Sequence, residues 1–289
     1  MRYALAIDIG GTKLAAARVD ERGTIHEQAQ APTTGDDAEA LFATLVGVVD
    51  TVRAAGPIEV CGVGCGGPMA PRGATVSPLN ITQWREFPLA ARLAAHVQAP
   101  VFIDNDAKAL ARGEGWVGAA AGERHFLAMV VSTGVGSGLV VEGRLLDGAT
   151  GNAGHIGHVI AVPGGRRCVC GARGCLEAET SGSAITARTG RPAHEAPTFV
   201  RQRTGRLVGE VVGSVVNLLD LRLAVVAGSV ALGFGDDFFL AAQGALDRTS
   251  TISYARGARI RPGGLGAGGP LVGAAAVGWH GIGVDVGVA

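Results

Sequence analysis

From Tyr3 onward the chain alternates short apolar runs with polar or glycine-rich breaks. Tyr3 to Asp8 reads as a strand, Gly10-Gly11-Thr12 as a turn, Lys13 to Val19 as a second strand and the stretch around Thr24 to Gln30 as a third, an antiparallel meander. The period then lengthens. An amphipathic helix is predicted from about Asp37 to Ala54, closed by Gly56-Pro57, followed by a buried strand at Ile58 to Gly64. A helix near Leu89 to Val97 leads to the short strand Val101-Phe102-Ile103, the cluster Asp104-Asn105-Asp106 and a helix from roughly Ala107 to Val117. At Phe126 the opening device returns: a strand to Val131, a glycine-rich turn from Ser132 to Gly138 and a strand from Leu139 to Val141. That recurrence predicts an internal duplication. Beyond a cysteine-bearing loop, Gly164 to Cys175, the pattern predicts a helix from about Leu207 to Leu219 and a strand at Leu223 to Ala227. A helix near Asp237 to Leu246 and a last apolar helix from Leu271 to about Trp279 complete it.

Such alternation predicts an α/β protein of two lobes around a central cleft. Residues 1–115 with about 276–289 are expected to form the first lobe, and 116–275 the second. A length of 289 residues suits two lobes at roughly 150 residues per domain. Lys plus Arg number 25 and Asp plus Glu number 25, so no excess charge exists to draw the chain to nucleic acid or anionic lipid. The 47 glycines and few aromatics favour tight turns and close helix-to-strand packing. No run of about 18 residues is apolar without frequent glycine or charge, and the first residues enter a strand without a leader, so a cytoplasmic protein with no membrane partner is expected. The five cysteines fall into two groups, Cys61 with Cys65, and Cys168 with Cys170 and Cys175. An odd count in a reducing compartment points to metal binding or burial, not to disulfides.

The turn Asp8-Ile9-Gly10-Gly11-Thr12-Lys13 lets backbone N–H groups approach an anion with no Cβ in the way. Thr12 can donate its hydroxyl to a phosphate oxygen, and Asp8 can hold a water bound to Mg²⁺. The same residues also suit an ordinary hairpin turn. Ser132-Thr133-Gly134-Val135-Gly136-Ser137-Gly138 repeats the device, so two turns facing a cleft can grip one triphosphate. No Walker-type phosphate loop is present. Asp106 stands where a strand becomes a helix; the helix dipole would keep it ionised, ready to take a proton from a hydroxyl. It can equally well cap the helix. His158, Cys168, Cys170 and Cys175, in the spacing His-x9-Cys-x-Cys-x4-Cys, offer one imidazole and three thiolates, the donor set of a closed, structural zinc site. Cys61 and Cys65 have no further ligands nearby and are expected in the core.

Taken together, Asp8 to Lys13, Asn105-Asp106-Ala107, Ser132 to Gly138, Gly154-His155-Ile156-Gly157-His158 and Cys168-Val169-Cys170-Gly171-Ala172-Arg173-Gly174-Cys175-Leu176-Glu177 resemble the ROK family of sugar kinases in order and spacing. The resemblance implies an actin-like ATPase (ribonuclease H-like) fold with a zinc-bearing loop, ATP and Mg²⁺ as cofactors, a sugar as substrate and usually a homodimer. It implies transfer of the γ-phosphate to a hexose 6-hydroxyl, with Asp106 as base and Asn105 on the sugar. Glu177 and His158 match residues that hold sugar hydroxyls, and Gly66-Gly67-Pro68 with Asn80 match loops that close over the ring. Ala227-Gly228-Ser229 resembles the family's nucleotide segment, with Ala and Ser where glycines are usual, so Gly228 and Ser229 are expected beside the nucleotide.

His155 departs from the family's glucokinases, which carry Glu there; a neutral imidazole accepts through only one nitrogen or donates through the other. The wording around it is similar to that of the family's bacterial N-acetylmannosamine kinases, as are Ala6 to Ala17 and Phe87-Pro88-Leu89, so N-acetylmannosamine is expected ahead of glucose. The stretch Gly182 to Asn217 reads as roughly fifteen residues shorter than its counterparts. The family's sugar-responsive repressors carry a helix-turn-helix ahead of the first glycine turn, where this sequence has seven residues before Asp8 and no net charge. A binder without catalysis is the remaining alternative, supported by the altered nucleotide turn alone.

Overall fold

The computed structural model describes residues 1–289 and contains two five-stranded sheets. The first is built from β1 (Tyr3–Ile9), β2 (Lys13–Asp20), β3 (Ile25–Pro32), β4 (Val60–Cys65) and β5 (Val101–Asn105), in the order β3-β2-β1-β4-β5. The second is built from β6 (Phe126–Val131), β7 (Val135–Val141), β8 (Arg144–Leu145), β9 (Leu223–Ala227) and β10 (Arg259–Pro262), in the order β10-β9-β6-β7-β8. Read outward from β1 and β6 the two orders are the same. In each half a meander of antiparallel strands is joined to a parallel pair. The duplication expected from the repeated glycine turn is therefore present in the topology.

Helix α1 (Ala38–Arg53) and α2 (Leu89–Val97) cover one face of the first sheet, burying Leu41, Leu45, Val49 and Leu93 against Ile7, Val63 and Ile103. Cys61 and Cys65 lie fully buried in this cluster, the packing role the sequence suggested. On the other face lies α9 (Gly269–Gly281), whose Leu271, Ala274, Ala275 and Trp279 pack on Ala4, Ala6, Ala15 and Val60. Helix α3 (Asp106–Val117) touches strands of both sheets as well as α9. It can approach β7 because that strand lacks side chains there: a Cβ on Gly138 would stand 2.6 Å from the Ala111 Cβ. Glu114, fully buried on α3, accepts from Ala119 N at 2.7 Å, Gly264 N at 3.0 Å and Leu265 N at 3.3 Å, which ties this helix to the chain leaving β10.

In the second half α6 (Thr198–Leu219) and α8 (Asp236–Thr249) pack on β6 and β9 around Phe238, Val208 and Val212. α6 begins well before Leu207, where the periodicity places it. The reason is that its first half carries Gly205, which lowers helix propensity yet lets α8 cross closely. A Cβ there would lie 2.2 Å from the Phe238 carbonyl oxygen. The short elements α4 (Leu176–Thr180), α5 (Gly182–Thr189), α7 (Ser229–Phe234), β8 and β10 are not legible in the sequence, since so few residues carry no readable period. No helix is long and apolar enough to cross a membrane.

Candidate active site

The chemistry-bearing residues gather where β5 gives way to α3. Asn105 is the cap: its Oδ1 accepts from Ala107 N at 3.1 Å and Lys108 N at 3.4 Å. Asp106 is the first helical residue, and its Oδ1 accepts from Ala107 N at 2.8 Å. Capping is thus Asn105's task, and the Asp106 carboxylate keeps an oxygen for another partner. Burial pushes the Asp106 carboxyl above the usual aspartate range, against the pull of the Ala107 N–H and of His155. The helix dipole is expected to favour the ionised form, and burial works against it. Asp8, at the end of β1, is pushed up to about 7, first by burial and then by Asp106, with Lys13 pulling the other way. Two carboxylates in one poorly hydrated cleft are the donor chemistry that suits a hard divalent cation.

The first glycine turn is closed by Gly10 N donating to the Lys13 carbonyl at 3.0 Å. Thr33, which the sequence reading did not single out, anchors it: its Oγ1 donates to the Gly10 carbonyl at 2.7 Å and its N–H to that of Thr12 at 3.1 Å. Gly11 and Thr12 are exposed. The second turn is tighter, with Ser132 N donating to the Gly134 carbonyl at 2.9 Å. Thr133 and Ser132 are held from behind by Ser183 Oγ and Gly182 N, at 2.9 and 2.7 Å from their carbonyls. Ser132 Oγ also lies 2.9 Å from Ser229 Oγ, which joins the second turn to Gly228 and the start of α7. Gly136 lies inside β7, where a Cβ would stand 3.0 Å from that of Ala107. It therefore has a packing reason that needs no phosphate.

Near Asp106 also stand the residues assigned to a sugar. A Cβ placed on Gly67 would lie 3.4 Å from His155 Cε1 and 3.5 Å from Asn105 Nδ2, so these three converge. His155 and His158 have ring centroids 6.1 Å apart. Burial and then His158 lower the His155 pKa, while Asp106 and Glu177 pull it up, so the ring is neutral at neutral pH, one nitrogen donating and one accepting. Glu177 Oε2 accepts from Val135 N at 2.9 Å and stands 2.9 Å from where a Gly134 side chain would begin. Asn80 is placed differently from the rest of the sugar set. Its Cβ would be 2.8 Å from a Cβ on Gly11, and its Nδ2 3.9 Å from one on Gly134, so it stands between the two glycine turns.

His158 Nδ1 and the sulfurs of Cys168, Cys170 and Cys175 all lie within 4.8 Å of one another. Cys168 Sγ is 3.6 Å from His158 Nδ1, and Cys170 Sγ is 3.7 Å from Cys175 Sγ. Ligands at about 2.3 Å from a tetrahedral centre stand roughly 3.8 Å apart, so the donor set has the size of a four-coordinate zinc site. The loop's bends need glycine: Gly174 has φ of 81°, and a Cβ there would strike the Val162 carbonyl oxygen at 1.7 Å. Glu179, which the sequence did not reveal, fastens the loop to α6 by accepting from Arg166 N at 2.9 Å and Arg203 Nη2 at 2.6 Å. A separate groove of about 630 Å³ between α6 and α8, lined by Phe199, Arg203, Arg206 and Asp237, contains none of the site residues.

N-acetylmannosamine kinase of Citrobacter koseri is 36% identical over 250 residues, which cover 80% of this chain and 84% of that protein. Glucokinase of Halalkalibacterium halodurans is 36% identical over 192 residues, 64% of this chain and 58% of that one, so there the match spans less than two thirds of the relative. Among solved structures, a ROK family glucokinase from Streptomyces griseus in complex with glucose and AMPPNP superposes with a TM-score of 0.86 at 28% identity, over 96% of this chain and 99% of that one. The two-sheet α/β architecture is the ROK sugar kinase fold and is consistent with the actin-like ATPases. The model of the ROK family matches residues 4–278, and the chain belongs to that family.

Proposed function

We propose that the protein is an ATP-dependent kinase that moves the γ-phosphoryl group of ATP onto the 6-hydroxyl of a hexose, with N-acetylmannosamine preferred to glucose. The observation that carries this reading is the grouping of Asp106 with His155, Asn105 and Gly67 and with Asp8 of the first glycine turn. Phosphoryl transfer asks chiefly for positioning, neutralisation of charge and one carboxylate to orient the nucleophile. Asp106 accepts the hydroxyl proton as the sugar oxygen bonds to the γ-phosphorus. The bond to the bridging oxygen breaks, and ADP leaves with that electron pair. The glycine turns at Gly10-Gly11-Thr12 and Ser132-Thr133-Gly134 orient the phosphates, with Gly228 and Ser229 beside the nucleotide. Mg²⁺, held through Asp8, supplies neutralisation of the phosphate charge when bound. His158, Cys168, Cys170 and Cys175 would hold a zinc ion, which would fix the loop leading into Glu177 and α4 and leave the second nitrogen of His158 for the sugar.

The acceptor preference rests on His155, a neutral donor–acceptor where a carboxylate would only accept. Both named relatives leave the choice open, and glucose is the second reading, favoured by the likeness to the glucose-bound S. griseus structure. An ADP-release assay over N-acetylmannosamine, N-acetylglucosamine, glucose, mannose and allose tests it. The highest kcat/KM is expected with N-acetylmannosamine; if glucose leads, the argument from His155 fails. A homodimer belongs to the same reading, and light scattering on the purified chain checks it.

A further inference from the structure

Lys108 lies one helical position beyond Ala107 on α3 and plays no part in the chemistry described so far. It is 2% exposed. A buried ammonium persists only where its three N–H donors find acceptors, and here each does: Asp104 Oδ1 at 2.9 Å, Asp147 Oδ1 at 2.6 Å and the Gly151 carbonyl at 3.2 Å. Asp104 belongs to β5, but Asp147 and Gly151 belong to the turn that follows β8. That turn closes on itself through Ala153 N donating to the Asp147 carbonyl at 3.0 Å. Asn152 then grips the first half a second time, its Nδ2 donating to the Met69 carbonyl at 3.2 Å and its Oδ1 accepting from Met69 N at 3.4 Å. Gly154 is held by Ser137, whose N–H and Oγ both reach its carbonyl, at 3.0 and 2.8 Å. His155 follows and lies against Gly67.

We propose that Lys108 is a positioning residue that clamps the 147–153 turn of the second half onto the helix carrying Asp106, and so fixes the distance between His155 and the base across the sugar pocket. The proposal rests on the kinase reading. Its geometry is specific: one ammonium, just beyond Asp106 on the same helix, holds Asp147 and Gly151, the segment that runs directly into His155. Without the ammonium, Asp147, itself 68% exposed at the side chain, turns to water and the 147–153 turn loses its only charged tie to α3. His155 then samples positions off the sugar, while the glycine turns stay as they are.

The test compares Lys108→Met, Lys108→Arg and Asp147→Asn with the unaltered full-length chain, measuring KM for sugar and for ATP separately and amide hydrogen exchange over 147–155. In Lys108→Met the sugar KM should rise roughly ten- to hundredfold, as expected when a binding group is displaced by about an ångström. The ATP KM should stay within about twofold. Asp147→Asn, on an exposed turn, should move the same parameter in the same direction, and the double variant should add little to Lys108→Met alone. Lys108→Arg should recover part of the loss. Exchange over 147–155 should quicken in Lys108→Met and Asp147→Asn and remain unchanged in the first sheet. Equal rises in both KM values, or a sugar KM unmoved in Asp147→Asn, overturn the proposal. If the unaltered chain phosphorylates none of the sugars, the kinase reading has failed instead. Exchange then decides the clamp, and unchanged exchange overturns it.

Discussion

β5 and β10 occupy the same place in their two sheets, each beyond a parallel neighbour, β4 or β9, yet the chain does different things as it leaves them. β5 ends in Asn105, the cap, and Asp106 begins α3 directly. After β10 come Gly263 and Gly264, whose backbone serves to receive α3, through Gly264 N and Glu114. At the opposite edge the contrast is reversed. In the first half β3 is eight residues long and a single helix, α1, returns the chain to β4. In the second half β8 has two residues, and the return to β9 carries His155, the cysteine loop, Glu177 and three helices. A duplicated scaffold supplies two glycine turns with Asn80 between them, and each half is specialised at a different edge. On the proposed reading the first half provides the base, and the second the Cys₃His cluster and most of the sugar contacts.

Four experiments press on that division. The largest effect is expected at the β5 edge: Asp106→Asn should lower kcat by several orders of magnitude while sugar binding, followed by calorimetry, stays near that of the unaltered protein. Retained turnover would remove the base from the first half altogether. Next, stripping metal with a chelator should lower both Tm and activity, with about one zinc per chain in elemental analysis beforehand. A metal-free preparation with full activity would leave the cysteine loop without its proposed purpose.

Third, His155→Glu should shift the ratio of kcat/KM for glucose over N-acetylmannosamine upward by roughly ten- to hundredfold, since exchanging a donor for an acceptor leaves buried partners unmatched. An unmoved ratio would place specificity elsewhere in the pocket. Last, the two raised carboxylates predict a pH effect. Asp8 binds its proton more tightly in the folded chain, where it titrates at about 7, than in the unfolded chain. Its contribution therefore favours the fold at low pH and is lost as pH rises from about 4 towards 7. The Tm of the ligand-free protein should fall over that window, and Asp8→Asn should flatten the slope. For the same reason the acid limb of kcat/KM, which reports ionisation of Asp106, should lie above the usual aspartate range.

Much of this was legible because it depends on local chemistry. The strands from Tyr3 and from Phe126 carry uninterrupted apolar runs, and the glycine turns after them are short and distinctive, so the meanders and their repetition could be read directly. The His-x9-Cys-x-Cys-x4-Cys spacing announced a four-ligand cluster, and the four donors do meet. Reading failed where an element is short or where glycine serves a contact. Gly205 obscured the first half of α6 because the need for it comes from α8, a separate helix that brings Phe238 against it. Gly136 was read as part of a phosphate turn, whereas its neighbour is Ala107.

The sequence by itself determined which residues could do chemistry, the order of the strands along the chain and the two devices that repeat, since each follows from side-chain type and spacing over a few positions. Only the tertiary structure decided which of Asn105 and Asp106 caps the helix, that burial raises Asp106 and Asp8, and that Lys108 reaches Asp147 in the turn after β8. Those outcomes depend on what is packed against a group and how much water remains beside it, and both are set by segments distant in the chain.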